Sequence, residues 1–311
     1  MYEFKNILVG VDLLPRGKGL TPGSQKALDQ AIWVAKKSSG KLTLVHSVWS
    51  DAYIEPVSGS AKVVHEGLSE AGAEVLEVSV LHAREQGVTV DSIVVEERLW
   101  VAMIHETLRG NADCVIVGKR NQEEGTGRRL GSIATKLLRK CPCPVWVVRP
   151  EHDLVHRLVL AATDLTEVGD EAVKCGAYVA QGGECDLHVV HAYQIPLELQ
   201  MESSNLTEEE YTSEVDKLRQ AALKRIEGCL STSELSQDPT IHVRRNNPSV
   251  AIREAVEHLD PDLLVMGTLS RSGLPGLLVG NTAERLLDRV DCSILAIKTR
   301  DFVSPIQLPA E

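Results

Sequence analysis

Two aspartates and two glycine-marked loops are the residues of this chain whose types and spacing best suit chemistry. Asp12 follows the apolar run Asn6-Ile-Leu-Val-Gly-Val, and Asp164 follows Leu158-Val-Leu-Ala-Ala-Thr, so each carboxylate stands at the end of a strand-length segment. The loops share one spacing. It reads Gly118, two residues, Asn121, nine residues, Gly131-Ser132 in one place, and Gly267, two residues, Ser270, nine residues, Gly280-Asn281-Thr282 in the other. The first glycine of each lets the chain turn off a strand, and the last opens a helix whose free N–H groups and positive dipole end suit an anion. Ser132 and Thr282 add hydroxyl donors, and Lys119, Arg128, Arg129 and Arg271 can add positive charge. The combination suits nucleotide phosphates. Neither loop offers a water-activating base or a magnesium cage, so binding without efficient turnover is expected, at most slow hydrolysis, with no catalytic residue and no metal ligand assigned.

Each candidate has a plainer reading as well. Asp12 and Asp164 can simply cap or turn the chain between a strand and a helix. His46 and His191 end second apolar strands at matching places without a repeated carboxylate or serine beside them, so partly buried structural residues are expected before catalysts. The seven cysteines form no CxxC pair, and Cys141-Pro-Cys143 is the one close pair. A turn entering a buried strand is its main reading, with redox or metal chemistry the minor one. The chain carries no Gly-x4-Gly-Lys-Ser/Thr loop and no Gly-x-Ser-x-Gly elbow, which argues against a Walker-type NTPase and a serine hydrolase.

The elements that must position these residues come twice. Lys41-Leu-Thr-Leu-Val-His46 parallels Asp186-Leu-His-Val-Val-His191, and Asp113-Cys-Val-Ile-Val-Gly118 parallels Asp262-Leu-Leu-Val-Met-Gly267. Val145-Trp-Val-Val-Arg149 parallels Ile294-Leu-Ala-Ile-Lys298. Helical patterns fill the gaps at 24–38, 60–86, 101–109 and 132–140, then at 170–181, 207–230, 249–259 and 282–289. Gly40 and Gly87 suit helix C-termini, and Ser24 and Thr207 suit N-caps. Near-continuous apolar strands alternating with helices predict an α/β fold of two tandem doubly wound, Rossmann-like domains, each a five-stranded parallel sheet flanked by helices. The expected boundaries are 1–150 and 157–300, with 301–311 a mobile tail. Ligands of such sheets bind outside the carboxyl ends of the strands, where Asp12, Asp164 and both loops fall.

The loop pattern and the stretch from Leu264 to Glu284 resemble the universal stress protein family, and the likeness runs through nearly the whole chain twice. The family loop has glycine where this chain has Asn121 and Ser270. The resemblance implies an adenine nucleotide alpha hydrolase-like fold and ATP as the ligand. Asp12 and Asp164 would then hold the adenine or ribose side, with Gly118, Gly131, Ser132, Gly267, Gly280 and Asn281 at the phosphates. It also implies antiparallel pairing of the fifth strands, 144–149 with 293–298, inside one chain, and it leaves room for a homodimer.

A formal net charge of −11 opposes nucleic acid and anionic membrane as the main partner. No run of about 18 apolar residues spans a bilayer and the N-terminus lacks a signal-peptide pattern, so a cytoplasmic protein is expected. The reading that follows is a stress-response or regulatory protein that binds ATP. The alternative is a non-nucleotide interaction or small-ligand scaffold with degenerate phosphate loops.

Overall fold

A computed structural model describes residues 3–14, 19–49, 60–110, 112–119, 131–150, 156–181, 185–194, 207–268, 283, 286, 289–299 and 301–309, with backbone only over 60–68 and 71. The elements run β1 (Asn6–Val11), α1 (Pro22–Ser38), β2 (Lys41–Ser47), α2 (Ser60–Glu85), β3 (Thr89–Val95), α3 (Leu99–Leu108), β4 (Cys114–Gly118), α4 (Ser132–Lys140) and β5 (Val145–Val148). The second copy repeats them as β6 (Leu158–Thr163), α5 (Glu167–Ala180), β7 (Asp186–Tyr193), α6 (Glu208–Leu230), β8 (Thr240–Arg245), α7 (Pro248–Leu259), β9 (Leu263–Gly267) and β10 (Ser293–Ile297).

By contacts the chain divides into one unit of residues 3–154 with 293–311 and another of 155–292. The first unit orders its strands β3-β2-β1-β4-β5, all parallel, and β10 then pairs antiparallel with β5 through Ile294↔Val147 and Leu295↔Trp146. The second unit orders β9-β6-β7-β8, also parallel. β10 therefore groups with the first unit, unlike a boundary drawn at 157–300.

The reason for a parallel sheet is visible strand by strand. β1, β4, β5 and β9 are buried on both faces, so their apolar runs do not alternate. β8 lies at the edge of its unit, and its residues are half-buried or exposed. Among the helices, α1 starts at Thr21, whose hydroxyl accepts the Ser24 N–H, with Pro22 in the first turn. Ser24 is thus the third residue of the helix and not its cap. Thr207 caps α6 as expected, and it does so within a capping box in which Thr207 and Glu210 satisfy each other's backbone N–H. At the C-terminus of α1 the left-handed residue is Ser39, at φ 51°, and not Gly40. Gly40 is glycine for room, since a Cβ there would lie 2.8 Å from the Phe4 carbonyl oxygen.

Two carboxylates stitch the sheets at their amino ends. Asp113 accepts the backbone N–H of Lys5 and Asn6, and Asp262 accepts those of Arg157 (2.7 Å) and Leu158 (3.0 Å). Burial pushes the Asp113 carboxyl above its ordinary value, against the pull of those N–H donors. Asp262 is buried. Truncating it in Asp262→Ala strands two N–H groups at the start of β6 and is expected to cost about 2–3 kcal/mol. Urea unfolding followed by circular dichroism would show this as a lower midpoint.

The tail departs from expectation. Although Pro305 and Pro309 suggest a mobile end, the Ser304 hydroxyl donates to the Lys140 carbonyl at 2.8 Å, and the Gln307 carbonyl lies 3.1 Å from His105 Nε2. Proline removes only its own N–H, so the neighbouring polar groups still bind the segment to α3 and α4.

Candidate functional site

In the first unit the strand order reverses between β1 and β4, which places the end of β1 beside the end of β4. Asp12 follows the last residue of β1 and is half-buried. Its N–H donates to Ser24 Oγ at 2.8 Å, and its carbonyl accepts the Thr21 N–H at 2.9 Å, so the first turn of α1 is tied to the strand end. The seven or so extra residues of this copy begin here. A backbone bridge between Leu13 and Leu20 and the Leu14 N–H bond to the Gly19 carbonyl close their base.

Gly118 ends β4 directly under α1. A Cβ built on it would fall 2.1 Å from the Gly23 carbonyl oxygen, while one on Gly23 would fall 2.7 Å from that of Lys119. The two glycines let helix and strand backbones touch. The residue after the strand is fixed too, through the Lys119 N–H bond to the Val148 carbonyl at 2.7 Å. α4 then opens at Gly131, which has extended backbone angles and serves as its N-cap with no side-chain cap bond. Ser132, the first helical residue, is exposed. Among the described residues no side chain caps this helix start and its first turn holds no acid, which suits an anion. Asn121 lies outside the described residues.

The second unit holds the same strand end by different means. Asp164 Oδ1 accepts the N–H and hydroxyl of Thr166, so this carboxylate closes its own turn. Thr166 caps α5, and Leu165 between them sits at φ 61°, a left-handed conformation that costs a branched side chain about 1–3 kcal/mol. Where the first copy has Ser24, this one has Gly169, and a Cβ there would lie 2.6 Å from Thr163 Oγ1 and 2.8 Å from Asp164 Oδ1. Gly267 ends β9 with more space than Gly118, its added Cβ meeting a Val168 methyl at 3.0 Å. Ser270, Gly280, Asn281 and Thr282 lie outside the described residues.

The histidines are structural in both copies. His46 Nδ1 donates to the Val11 carbonyl and His191 Nδ1 to the Thr163 carbonyl, each at 3.0 Å, and both rings are buried. They lock the second strand to the end of the first, where each is already its register partner. Gly72 of α2 passes over the His46 ring, with an added Cβ 2.9 Å from Cδ2. Among the described residues no group of three or more His, Cys, Asp or Glu is placed to hold a metal. No helix there is long and apolar enough to cross a membrane.

One feature has no forerunner in the motifs. A cavity of about 700 Å³ opens in the second unit between β7, β8, α6 and α7, lined by Tyr193, Asp216, Arg219, His242, Arg245 and Glu254 among others. It lies on the β7–β8 side and not at the β6–β9 switch. Beside it His242 Nε2 lies 3.0 Å from His188 Nδ1, and burial lowers the proton affinity of both imidazoles. The only sequence signal is the half-polar character of β8.

Comparison with known proteins follows the same duplication. The universal stress protein family matches residues 3–149 and again 156–298. Universal stress protein E of Photorhabdus laumondii is 24% identical over 327 aligned positions, covering 100% of both chains. A universal stress protein E homolog of Haemophilus influenzae is 27% identical, covering 95% of this chain and 98% of its own. Among solved structures, a functionally unknown protein of Pseudomonas aeruginosa superposes with a TM-score of 0.69 at 20% identity, over 96% of this chain and 94% of the other.

Proposed function

This chain belongs to the universal stress protein family as a tandem, two-domain member, and on that premise we propose that it is a cytoplasmic stress-response or regulatory protein that binds ATP without efficient turnover. The observation that carries the reading is the first unit's switch point. There the half-buried Asp12, the Gly118 turn and the uncapped start of α4 belong to the carboxyl ends of β1 and β4 and the helix that follows. In this reading Asp12 meets the ribose or adenine side, while Gly118, Asn121, Gly131 and Ser132 take the phosphates. Asp164, Gly267, Ser270, Gly280, Asn281 and Thr282 are their counterparts in the second copy. The closer match of its loop to the family favours the second copy, while the state of the strand-end carboxylate favours the first. Among the described residues the Asp12 carboxylate accepts no hydrogen bond, whereas Asp164 Oδ1 is engaged by Thr166.

We also propose that the β5–β10 ladder is an internal version of pairing between two single-domain copies, and that two whole chains can associate as a homodimer. The cavity beside His242 favours a second reading, a scaffold that binds a small polar ligand other than a nucleotide in its second unit.

Calorimetry or equilibrium dialysis with ATP and ADP tests both. The reading expects saturable nucleotide binding, weakened at least about tenfold, or about 1.4 kcal/mol, by Gly131→Trp, which fills the helix start. Gly280→Trp reports the second copy in the same way. Absence of binding at millimolar nucleotide overturns the reading, and binding that survives both substitutions moves the site elsewhere. Phosphate release at the background rate supports a regulatory role, and rapid release contradicts it.

A further inference from the structure

A cluster of reactive groups unconnected with the nucleotide reading lies where α4 ends. Cys141 and Cys143 place their sulfurs 3.6 Å apart, and Thr107 Oγ1 of α3 is 3.9 Å from each. Lys298, just past β10, points into the same region. Its ammonium is buried, donates to the Leu138 carbonyl at 2.6 Å and stands 4.7 Å from the Phe302 ring centre. Sequence proximity alone made the cysteine pair a turn. The structure adds a buried cation from the far end of the chain.

We propose that Cys141 and Cys143 are a reversible dithiol–disulfide pair, a thiol oxidation site that responds to hydrogen peroxide. The sulfurs need to close by about 1.6 Å to reach a bond of roughly 2.05 Å, a movement within side-chain rotation across the bend at 142–143. Cys141 is fully buried and Cys143 nearly so, which restricts the oxidant to a molecule of about the size of water and hydrogen peroxide.

Cys141 is the attacking sulfur. Burial opposes its ionisation, but the hydrogen bond from Cys143 and the positive charge of Lys298 outweigh that and lower its pKa. Cys143 is held well above the ordinary thiol value by its bond to Cys141 and by burial, so it stays protonated. The Cys141 thiolate attacks one peroxide oxygen, the O–O bond breaks, and hydroxide leaves and is protonated to water. The resulting Cys141 sulfenic acid is attacked by the Cys143 sulfur. The S–O bond breaks, the S–S bond forms, and the Cys143 proton leaves with the hydroxyl as water. Two thiols lose two electrons and two protons to one peroxide, and a small dithiol reverses the change once local opening of the site admits it.

Trypsin tests this on the full chain, because the Arg149–Pro150 bond resists it and residues 141–157 are released as one peptide containing no other cysteine. After brief peroxide treatment, denaturation and alkylation, that peptide is expected unalkylated and lighter by two hydrogens, and restored by a dithiol reductant. In Cys143→Ser the disulfide cannot form, and a sulfenate at Cys141 is expected to be trapped by a cyclic dione present during denaturation. Full alkylation of 141–157 while the half-exposed Cys185 or Cys229 is oxidised overturns the proposal. So does a Cys141 bond to any cysteine outside the peptide.

Discussion

Gly118→Ala is expected to destabilise the first unit by about 3 kcal/mol, at the upper end of overpacking costs. The added methyl carbon would fall 2.1 Å from the Gly23 carbonyl oxygen and 2.3 Å from its carbon, and backbone cannot swing aside as a side chain can. Either α1 lifts from β4 or the strand end shifts, and both movements disturb the turn that carries Asp12. The matched change Gly267→Ala meets only Val168 methyl groups at 3.0 and 3.1 Å and is expected to cost about 1 kcal/mol. The chain supplies its own probe, because Trp33, Trp49, Trp100 and Trp146 all belong to the first unit and none to the second. Urea unfolding followed by tryptophan fluorescence should therefore move its midpoint for Gly118→Ala and leave it in place for Gly267→Ala, with unchanged slopes. Equal effects would show that the helix–strand contact differs less between the copies than the geometry indicates.

A second large effect is expected at Lys298, where burial holds the ammonium pKa at about 8 against an ordinary 10.5. Negative charge at Cys141 pulls the other way and does not compensate. Between those two values the unfolded chain binds a proton at this lysine that the folded chain has released. Stability therefore rises with pH across that window, and the cost of the buried charge is fully present below pH 8. The gain on crossing the window is about 3 kcal/mol. Lys298→Met removes the titrating group but leaves the cysteines, so subtracting its unfolding free energy from that of the parent chain isolates the lysine. Under reducing conditions the parent is expected to gain about 3 kcal/mol on the variant between pH 7 and 10.5. A difference that is flat with pH would mean that this ammonium is hydrated.

The duplication and the strand ends were legible because both follow from chain-local physics. Strands buried on two faces leave unbroken apolar runs, and the carboxyl ends of such strands are where ligands meet a parallel sheet. The start of α4 at Ser132 and the cap at Thr207 could be read for the same reason, each resting on residues within one turn. Ser24 was misplaced as a cap because the inserted loop hides Thr21 and Pro22, the pair that begins α1. Gly118 was legible as a turn residue, but not its main constraint, which is the distant Gly23 pressed against it. The carboxylate stitches, the cavity beside His242 and the Lys298 environment all join residues from separate elements, and only the half-polar β8 gives a local hint of any of them. The tail's anchors at Lys140 and His105 are equally distant in sequence, and its prolines give no sign of them.

The grouping of β10 with residues 3–154 has a consequence for synthesis. A ribosome emits the five parallel strands of the first unit long before it emits the sixth, with residues 155–292 in between. At 5–20 residues per second that interval is roughly 10 s. Throughout it the apolar strand β5 presents an unpaired edge, the surface by which nascent chains find one another. The first unit is thus the first begun and the last completed, and a chain released early, or truncated before Ser293, carries that open edge permanently.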